Sequence, residues 1–117
     1  MFDENYDIDG DTGAPAPEFE PGQLVRHRHY GYRGVVVAFD RTCQADEQWY
    51  YNNRSQPGRN QPWFHVLVDG STATTYAAQE NLMPDEVGTP VRNPLVDALF
   101  QGFAGGRHIR NDTPWVF

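Results

Sequence analysis

The sequence predicts a single, mainly β domain, built as a small barrel with a short helix near its C-terminal end. The chain has 117 residues, which is the size of one domain. Valine outnumbers leucine by ten to five, and six tyrosines, seven phenylalanines and three tryptophans add side chains that pack well on pleated sheets. Several short apolar runs separated by turn residues predict strands, and closing such a sheet removes its exposed edges.

The acidic charge is concentrated at the N-terminus. The formal net charge is −7, and all nine basic residues are arginine. The first 20 residues hold seven acids and no base, whereas acids and bases balance over residues 21–117. Glycine and proline accompany these acids, and such a stretch buries too little apolar surface to offset its ordering entropy. We therefore expect residues 1–18 to form a disordered acidic tail.

The barrel is expected over residues 19–83, after a turn at Pro21-Gly22. Residues 33–40 form a continuous run of mostly apolar, branched side chains, which is the strongest strand signal. A long connection without periodicity covers residues 41–61, and connections of this length in compact domains are often functional. Strands are predicted in order at residues 23–28, 33–40, 62–69 and 74–77, followed by one helical turn at 80–82.

A short amphipathic helix is expected over residues 94–103 of a C-terminal extension, residues 84–117. Asn93 suits an N-cap and Pro94 the first helical position, and apolar residues then recur at three- and four-residue steps until two glycines stop the pattern. The last residues are too apolar for a solvated tail, so we expect them to dock or to bind a partner.

The chain shows no signal for membrane insertion or secretion. No apolar run approaches the roughly 20 residues of a membrane-spanning helix, and no basic segment precedes an apolar one at the N-terminus. The single cysteine excludes an internal disulfide framework. We expect a soluble, cytoplasmic protein.

Catalytic and metal-binding candidates are weak. Cys43 is the one candidate nucleophile, but a reactive thiolate needs an adjacent cation or base, and packing under Trp49 is the favoured interpretation. His27-x-His29 places two imidazoles on one strand face and His65 offers a third, but no carboxylate or thiol completes a recognisable metal pattern. We therefore expect no enzymatic activity, no catalytic residue, no metal site and no cofactor.

A basic and aromatic stretch is the main candidate for nucleic-acid binding. No acid interrupts residues 23–39. Arginine pairs with phosphates and stacks on bases, and neighbouring tyrosines support both contacts. The whole chain is acidic, however, unlike the basic domains that bind duplexes through counterion release. The candidate DNA- or partner-binding residues are Arg26, His27, Arg28, Tyr30, Tyr32 and Arg33.

An ordered series of motifs resembles a known family. The motifs are Phe19-x-x-Gly22-Gln23-x-Val25-Arg26-His27, Tyr30-Gly31-Tyr32-x-Gly34-Val35-Val36, Gln61-Pro62-Trp63-Phe64-His65 and Tyr76-Ala77-Ala78-Gln79-Glu80-Asn81-Leu82. Over residues 19–83 the sequence resembles the YccV-like, hemimethylated-DNA-binding domain of the bacterial heat shock protein HspQ. Asp40-x-x-Cys43 and the segment from Phe100 to Asn111 are similar to the variant of this domain at the C-terminus of an F-box-only protein.

The resemblance implies a small SH3-like β-barrel without catalytic activity that serves as a binding module in the stress response. Members of the family are linked to two roles, namely binding of hemimethylated DNA and action as an adaptor for the ATP-dependent Lon protease. A neutral barrel with an acidic tail and an apolar terminus suits protein recognition better than phosphate binding. We therefore expect an adaptor that contacts the protease or its substrates, with hemimethylated DNA as the alternative partner.

Two features depart from the compact HspQ pattern, namely the aromatic content of residues 41–61 and the helix expected near residue 94. Exposed apolar clusters usually mark contact surfaces, so these features indicate further partner contacts. The alternative is that they pack across an open barrel end or form the interface of a homo-oligomer. The candidate contacts are Trp49, Tyr50, Tyr51, Trp115 and Phe117.

Overall fold

The computed structural model describes residues 13–53 and 55–116. Most of the expected acidic tail, residues 1–12, and the candidate contact Phe117 therefore lie outside the described residues. The part of the tail segment that is described contacts the domain through Gln79. The Gln79 side chain accepts a hydrogen bond from the Glu18 N–H at 2.8 Å and donates to the Ala16 carbonyl oxygen at 3.3 Å.

The mainly β prediction is confirmed by an antiparallel sheet of five strands in the described chain. The strands lie in the order β4-β3-β2-β1-β5. They are β1 (Leu24–His27), β2 (Arg33–Asp40), β3 (Trp63–Val68), β4 (Thr74–Ala78) and β5 (Leu82–Pro84). Four of them lie where the sequence predicts them, within two residues at either end, and β5 is an addition.

The sheet is strongly curled but is not closed by strand pairing among the described residues, which corrects the expectation of a closed barrel. β4 and β5 form its two edges, yet only the 3₁₀ turn Gln79–Asn81 separates them in sequence. Four strand spacings in a flat sheet cover about 19 Å, whereas a chain of this length spans at most about 15 Å. The edges must therefore approach each other, and the predicted helical turn bridges the gap in place of a strand pair.

The connection after β2 contains a helix that the sequence analysis missed. Helix α1 (Glu47–Asn52) begins after Asp46, whose Oδ1 accepts a hydrogen bond from the Trp49 N–H at 2.8 Å. An aspartate at the N-cap satisfies a backbone donor that has no partner within the helix. This cap fixes the position of Trp49 relative to the sheet.

The helix expected over residues 94–103 is wrong in its second half. Helix α2 (Val96–Leu99) is followed by a hairpin of β6 (Phe100–Ala104) and β7 (Arg107–Arg110). The two glycines that suggested a helix stop both have positive φ, 65° and 79°, as a two-residue hairpin turn requires. A bulge between Phe100 and Gly102 places Phe100 and Phe103 on the same face of the hairpin. Two strand residues therefore share a face at the three-residue spacing that is typical of a helix.

The C-terminal extension packs on the outer face of the sheet. Each face of the sheet carries its own core cluster. One contains Val25, Val36 and Phe64. The other, on the outer face, contains Leu24, Val35 and Leu67 together with Leu99 and Phe100 of the extension. Both faces of β2 are therefore covered, which explains its uninterrupted apolar sequence. No helix in the described part of the chain has the length and apolar character needed to cross a membrane.

Candidate binding groove

A groove of about 580 Å³ runs across the domain between the β1–β2 turn, α1 and the C-terminal segment. Eight aromatic or imidazole rings are among its lining residues. They belong to three groups, which are His27, Tyr30 and Tyr32 at one end, Trp49, Trp63 and Tyr76 in the centre, and His65 and Trp115 at the other end. The groove thus unites residues from both candidate sets of the sequence analysis.

The first end is organised by the His27 imidazole. Its Nδ1 accepts hydrogen bonds from the N–H groups of His29 and Tyr30 at 3.1 and 3.0 Å, and its ring stacks on Tyr30 with centroids 4.4 Å apart. Burial lowers the pKa of His27, and the nearby His29 lowers it further, so the neutral ring is favoured. Tyr32 is fixed by a hydrogen bond of 2.7 Å between its hydroxyl and Thr75 Oγ1. Tyr30 remains exposed at the rim.

The centre is a cluster of three mutually contacting rings. The Trp49 centroid lies 6.1 Å from that of Trp63 and 5.7 Å from that of Tyr76, and the last two are 5.3 Å apart. The Tyr76 hydroxyl donates to Asp40 Oδ2 at 2.6 Å and accepts from the Gln44 N–H at 3.0 Å. Burial and then the hydrogen bond to Asp40 raise the pKa of Tyr76, so the phenol stays neutral. Trp63 is buried, whereas Trp49 is 38% exposed.

The second end is built on His65. Its ring stacks on Tyr76 with centroids 4.5 Å apart, and Trp115 lies against it at 5.6 Å. His65 Nε2 is 3.4 Å from Asp40 Oδ2. Burial lowers the pKa of His65, although the Asp40 carboxylate opposes this shift. His65 pairs with Tyr76 directly across β3 and β4.

The three candidate arginines do not line the groove. Arg33 donates to Asp85 and Asp69 at 3.0 Å each and to the Thr89 carbonyl oxygen at 2.6 Å. Arg26 donates to Asp85 at 3.1 Å and to the Gly31 carbonyl oxygen at 2.9 Å. These bonds engage both guanidinium groups within the protein. Arg28 is exposed, and it forms no ion pair with another described residue.

The aromatic residues of α1 have different surroundings. Tyr50 is buried, its hydroxyl donates to the carbonyl oxygens of Gln56 and Pro57, and the Arg59 guanidinium lies 4.8 Å from its ring centroid. Its contacts are therefore internal. Tyr51 is 62% exposed but lies outside the groove. Of the α1 candidates, Trp49 is the one that reaches the groove.

The groove offers rings and neutral polar groups in place of positive charge. Among its described lining residues, Asp46 is the only carboxylate and there is no arginine or lysine. Cys43 is buried beneath it with Tyr50, Trp63 and Ala78, as expected for a packed loop residue. The described residues bring together no group of three or more His, Cys, Asp or Glu side chains that could hold a metal ion.

The sequence analysis did not assign Trp63, His65 or Tyr76 to a partner-binding surface. It considers His65 only as a metal ligand, and Trp63 and Tyr76 only as parts of the family motifs. The pairing of two rings, His65 with Tyr76, across adjacent strands was a signal that a register prediction could have used. The N-cap Asp46, three residues before Trp49, was a second signal.

Comparisons with known proteins give a consistent result. The family model described as hemimethylated DNA-binding protein YccV like matches residues 17–107. The chain is also similar to F-box only protein 21 of Homo sapiens, Mus musculus and Pongo abelii, with 36% identity over 93 residues in each case. The alignment covers 77% of this chain but only 15% of each relative. The matched region includes every ring of the groove except Trp115.

Proposed function

Because the chain belongs to the YccV-like family of hemimethylated DNA-binding proteins, we propose that it is a non-enzymatic binding module whose ligand is polypeptide. In this proposal it acts in the cytoplasm as an adaptor or specificity factor for an ATP-dependent protease of the Lon type. The observation that carries the proposal is the groove, a concave surface lined by rings and without arginine or lysine among its described residues.

The chemistry of the groove favours polypeptide over phosphate. Rings provide a large apolar contact area at low cost in side-chain entropy, and they dominate the binding energy of many protein interfaces. The Asp46 carboxylate at the wall repels phosphate rather than attracting it. Arg26 and Arg33, which could attract phosphate, do not line the groove and are engaged by Asp85.

The adaptor proposal is tested by the degradation rate of several unfolded substrates by a purified Lon-type protease, measured with and without this protein. We expect faster degradation of a subset of substrates when the protein is present. A Trp49→Ala variant should lose this stimulation, because Trp49 is the exposed ring at the centre of the groove. Tyr51→Ala is the matched control, since it removes an exposed ring of the same helix outside the groove. Unchanged rates for every substrate would contradict the proposal.

DNA binding is the second candidate, and the family match favours it. Arg28 and His29 are exposed and directly precede the exposed Tyr30, which lines the groove, so the three combine a cation with a ring that can stack on a base. This candidate predicts salt-sensitive binding with a preference for hemimethylated duplex over the unmethylated and fully methylated forms.

The informative variant for DNA binding is Arg28→Ala. Arg26 and Arg33 are unsuitable because their replacement would also break internal ion pairs. We expect the Arg28→Ala variant to bind the duplex more weakly and with a reduced dependence on salt. Negligible binding of all three duplexes by the unaltered protein at low salt would remove this candidate.

A further inference from the structure

The C-terminal segment, residues 112–116, is anchored at its base and reaches the groove with one side chain. At the base, Arg110 Nε donates to the Val37 carbonyl oxygen at 3.0 Å, and the Asn111 N–H donates to the Leu99 carbonyl oxygen at 3.0 Å. Beyond this point four of the five residues are exposed, and Val116 is 81% exposed. Trp115 is the member of the segment that packs against the domain.

Trp115 continues the row of rings that lines the groove. Its indole lies 5.6 Å from His65, which stacks on Tyr76, and it also packs against the cluster on the outer face of the sheet. The segment therefore places an aromatic ring on the same surface that the proposed function assigns to a polypeptide ligand. Pro114 precedes this ring, and a proline holds the preceding residue in extended conformations.

We infer that Trp115, presented by the C-terminal segment, occupies one end of the groove as a tethered substitute for the ligand, and that the ligand is an extended polypeptide segment with an aromatic residue beside a proline. Such a ligand binds by displacing Trp115. The inference rests on the proposed function, since it takes the groove to be a polypeptide-binding surface.

The remaining rings explain how a ligand can displace the tethered segment. Trp115 contacts the His65 end, whereas Trp49 and Tyr30 present exposed rings farther along the groove. A longer polypeptide gains contact with these rings in addition to the Trp115 position. The longer polypeptide buries more apolar area than the tethered segment does, and this gives it the higher affinity for the groove.

The tether sets the size of the expected effect. A short flexible connection gives a local concentration on the order of 1 mM. The tethered copy weakens the binding of added peptide by the ratio of this concentration to the dissociation constant of the free segment, which is about tenfold when that constant is about 0.1 mM. Removing the Trp115 ring should restore that affinity.

The test uses a fluorescent peptide with the sequence of residues 111–116 and the same peptide with alanine in place of tryptophan. Binding is measured for the full chain, for Trp115→Ala and for the control Val116→Ala, which alters an exposed neighbour. We expect Trp115→Ala to bind the tryptophan peptide about tenfold more tightly than the other two proteins do. The alanine peptide should not bind. Equal affinity for all three proteins, or no binding to a folded Trp115→Ala variant, would overturn the inference.

A second measurement does not depend on the folding of the variant. The full chain is labelled with 5-fluorotryptophan, and ¹⁹F NMR follows Trp49, Trp63 and Trp115 during titration with unlabelled tryptophan peptide. Displacement predicts that the Trp115 resonance moves toward the position of a solvent-exposed indole, while that of the buried Trp63 changes less. A Trp115 resonance that stays in place at saturating peptide would contradict displacement.

The two proposals can fail separately. Peptide binding that depends on Trp115, without any effect on proteolysis, would refute the adaptor role and leave the inference in place. Stimulated proteolysis that depends on Trp49, without any gain of peptide affinity in Trp115→Ala, would refute the inference alone.

Discussion

The Asp85 carboxylate accepts a hydrogen bond from Arg33 Nε at 3.0 Å, and none of the Asp85 side chain is exposed to solvent. The same carboxylate accepts from Arg26, and Arg33 also pairs with Asp69. This network joins β1 and β2 to the chain that follows β5. Two arginines that the sequence analysis assigned to a binding surface thus have internal partners, and their replacement should be measured first as a change in stability.

Replacing Arg33 with alanine should destabilise the fold by about 3 kcal/mol, because it removes a main partner of a buried carboxylate. Arg28→Ala is the matched control, and we expect it to change the free energy of unfolding by less than about 0.5 kcal/mol, since Arg28 is exposed. Urea unfolding of both variants measures the difference. Equal unfolding midpoints would show that the network contributes nothing.

Gly22 should tolerate no side chain. Its φ is +99°, and a Cβ at this position would lie 2.1 Å from the carbonyl oxygen of His108. The Gly22 carbonyl oxygen also accepts the His108 N–H at 2.9 Å, so this contact joins the sheet to the β6–β7 hairpin. We expect Gly22→Ala to be unfolded or to lose more than about 3 kcal/mol of stability.

Gly31→Ala is the control for Gly22→Ala. Gly31 has a similar φ of +79°, but a Cβ added there would meet no other atom within 4 Å among the described residues. Only the backbone strain remains, and it should cost about 1 kcal/mol. Thermal unfolding compares the two variants, and equal losses would refute the close approach of Gly22 to the hairpin.

The stability of the protein should fall as the pH falls from 7 to 5. Burial lowers the pKa of His27, His65 and His108 below their ordinary value of 6.5. In this window the unfolded chain binds more protons than the folded chain, so stability is complete above about pH 6.5 and decreases below it. The lowered pKa of Asp69 affects the free energy of unfolding only near and below its ordinary value of 3.8, which lies outside this pH window.

Geometry gives the physical reason for the pH dependence. His108 Nε2 accepts the Val91 N–H at 2.9 Å, and His27 Nδ1 accepts two backbone N–H groups, so protonation of either nitrogen would break these bonds. Denaturant unfolding at pH 7 and pH 5 measures the effect. A His108→Gln variant should show a smaller change than the unaltered protein. Stability that is unchanged between the two pH values would contradict the account.

The N-cap of α1 should matter for the groove. Asp46→Ala removes the hydrogen bond to the Trp49 N–H and should destabilise the helix by about 1 kcal/mol. We expect weaker binding of groove ligands as well, because Trp49 loses its fixed position. Asp46→Asn should restore both, since asparagine is an equally good cap. Failure of Asn to restore binding would assign the effect to the charge of Asp46.

Much of the sheet could be predicted because its strands carry local signals. The apolar run of β2 and the turn at Pro21-Gly22 needed no tertiary information. The hairpin of β6 and β7 could not be separated from a helix by spacing, because a bulge places Phe100 and Phe103 on one face. β5 has only three residues, too few to show a strand period, and its identity depends on pairing with β1.

Five residues that line the groove are among the predicted contacts, but their arrangement is not predicted by the sequence. His27, Tyr30 and Tyr32 from one candidate set meet Trp49 and Trp115 from the other in one groove. Arg26 and Arg33 do not line this groove. Their guanidinium groups instead bond to Asp85, which is distant from them in sequence. Charge partners of this kind depend on the pairing of β1 with β5, which composition and spacing do not specify.

The central proposal is that the ring-lined groove, and not the surface around Arg28, is the principal binding site. The most direct test is an NMR titration of the isotope-labelled full chain with the tryptophan peptide and, separately, with hemimethylated duplex at physiological salt. The account predicts that peptide shifts the indole N–H signals of Trp49 and Trp115, and that the duplex causes smaller changes, confined to the residues around Arg28. Strong shifts around Arg28 with the duplex, and none at the indoles with the peptide, would contradict it.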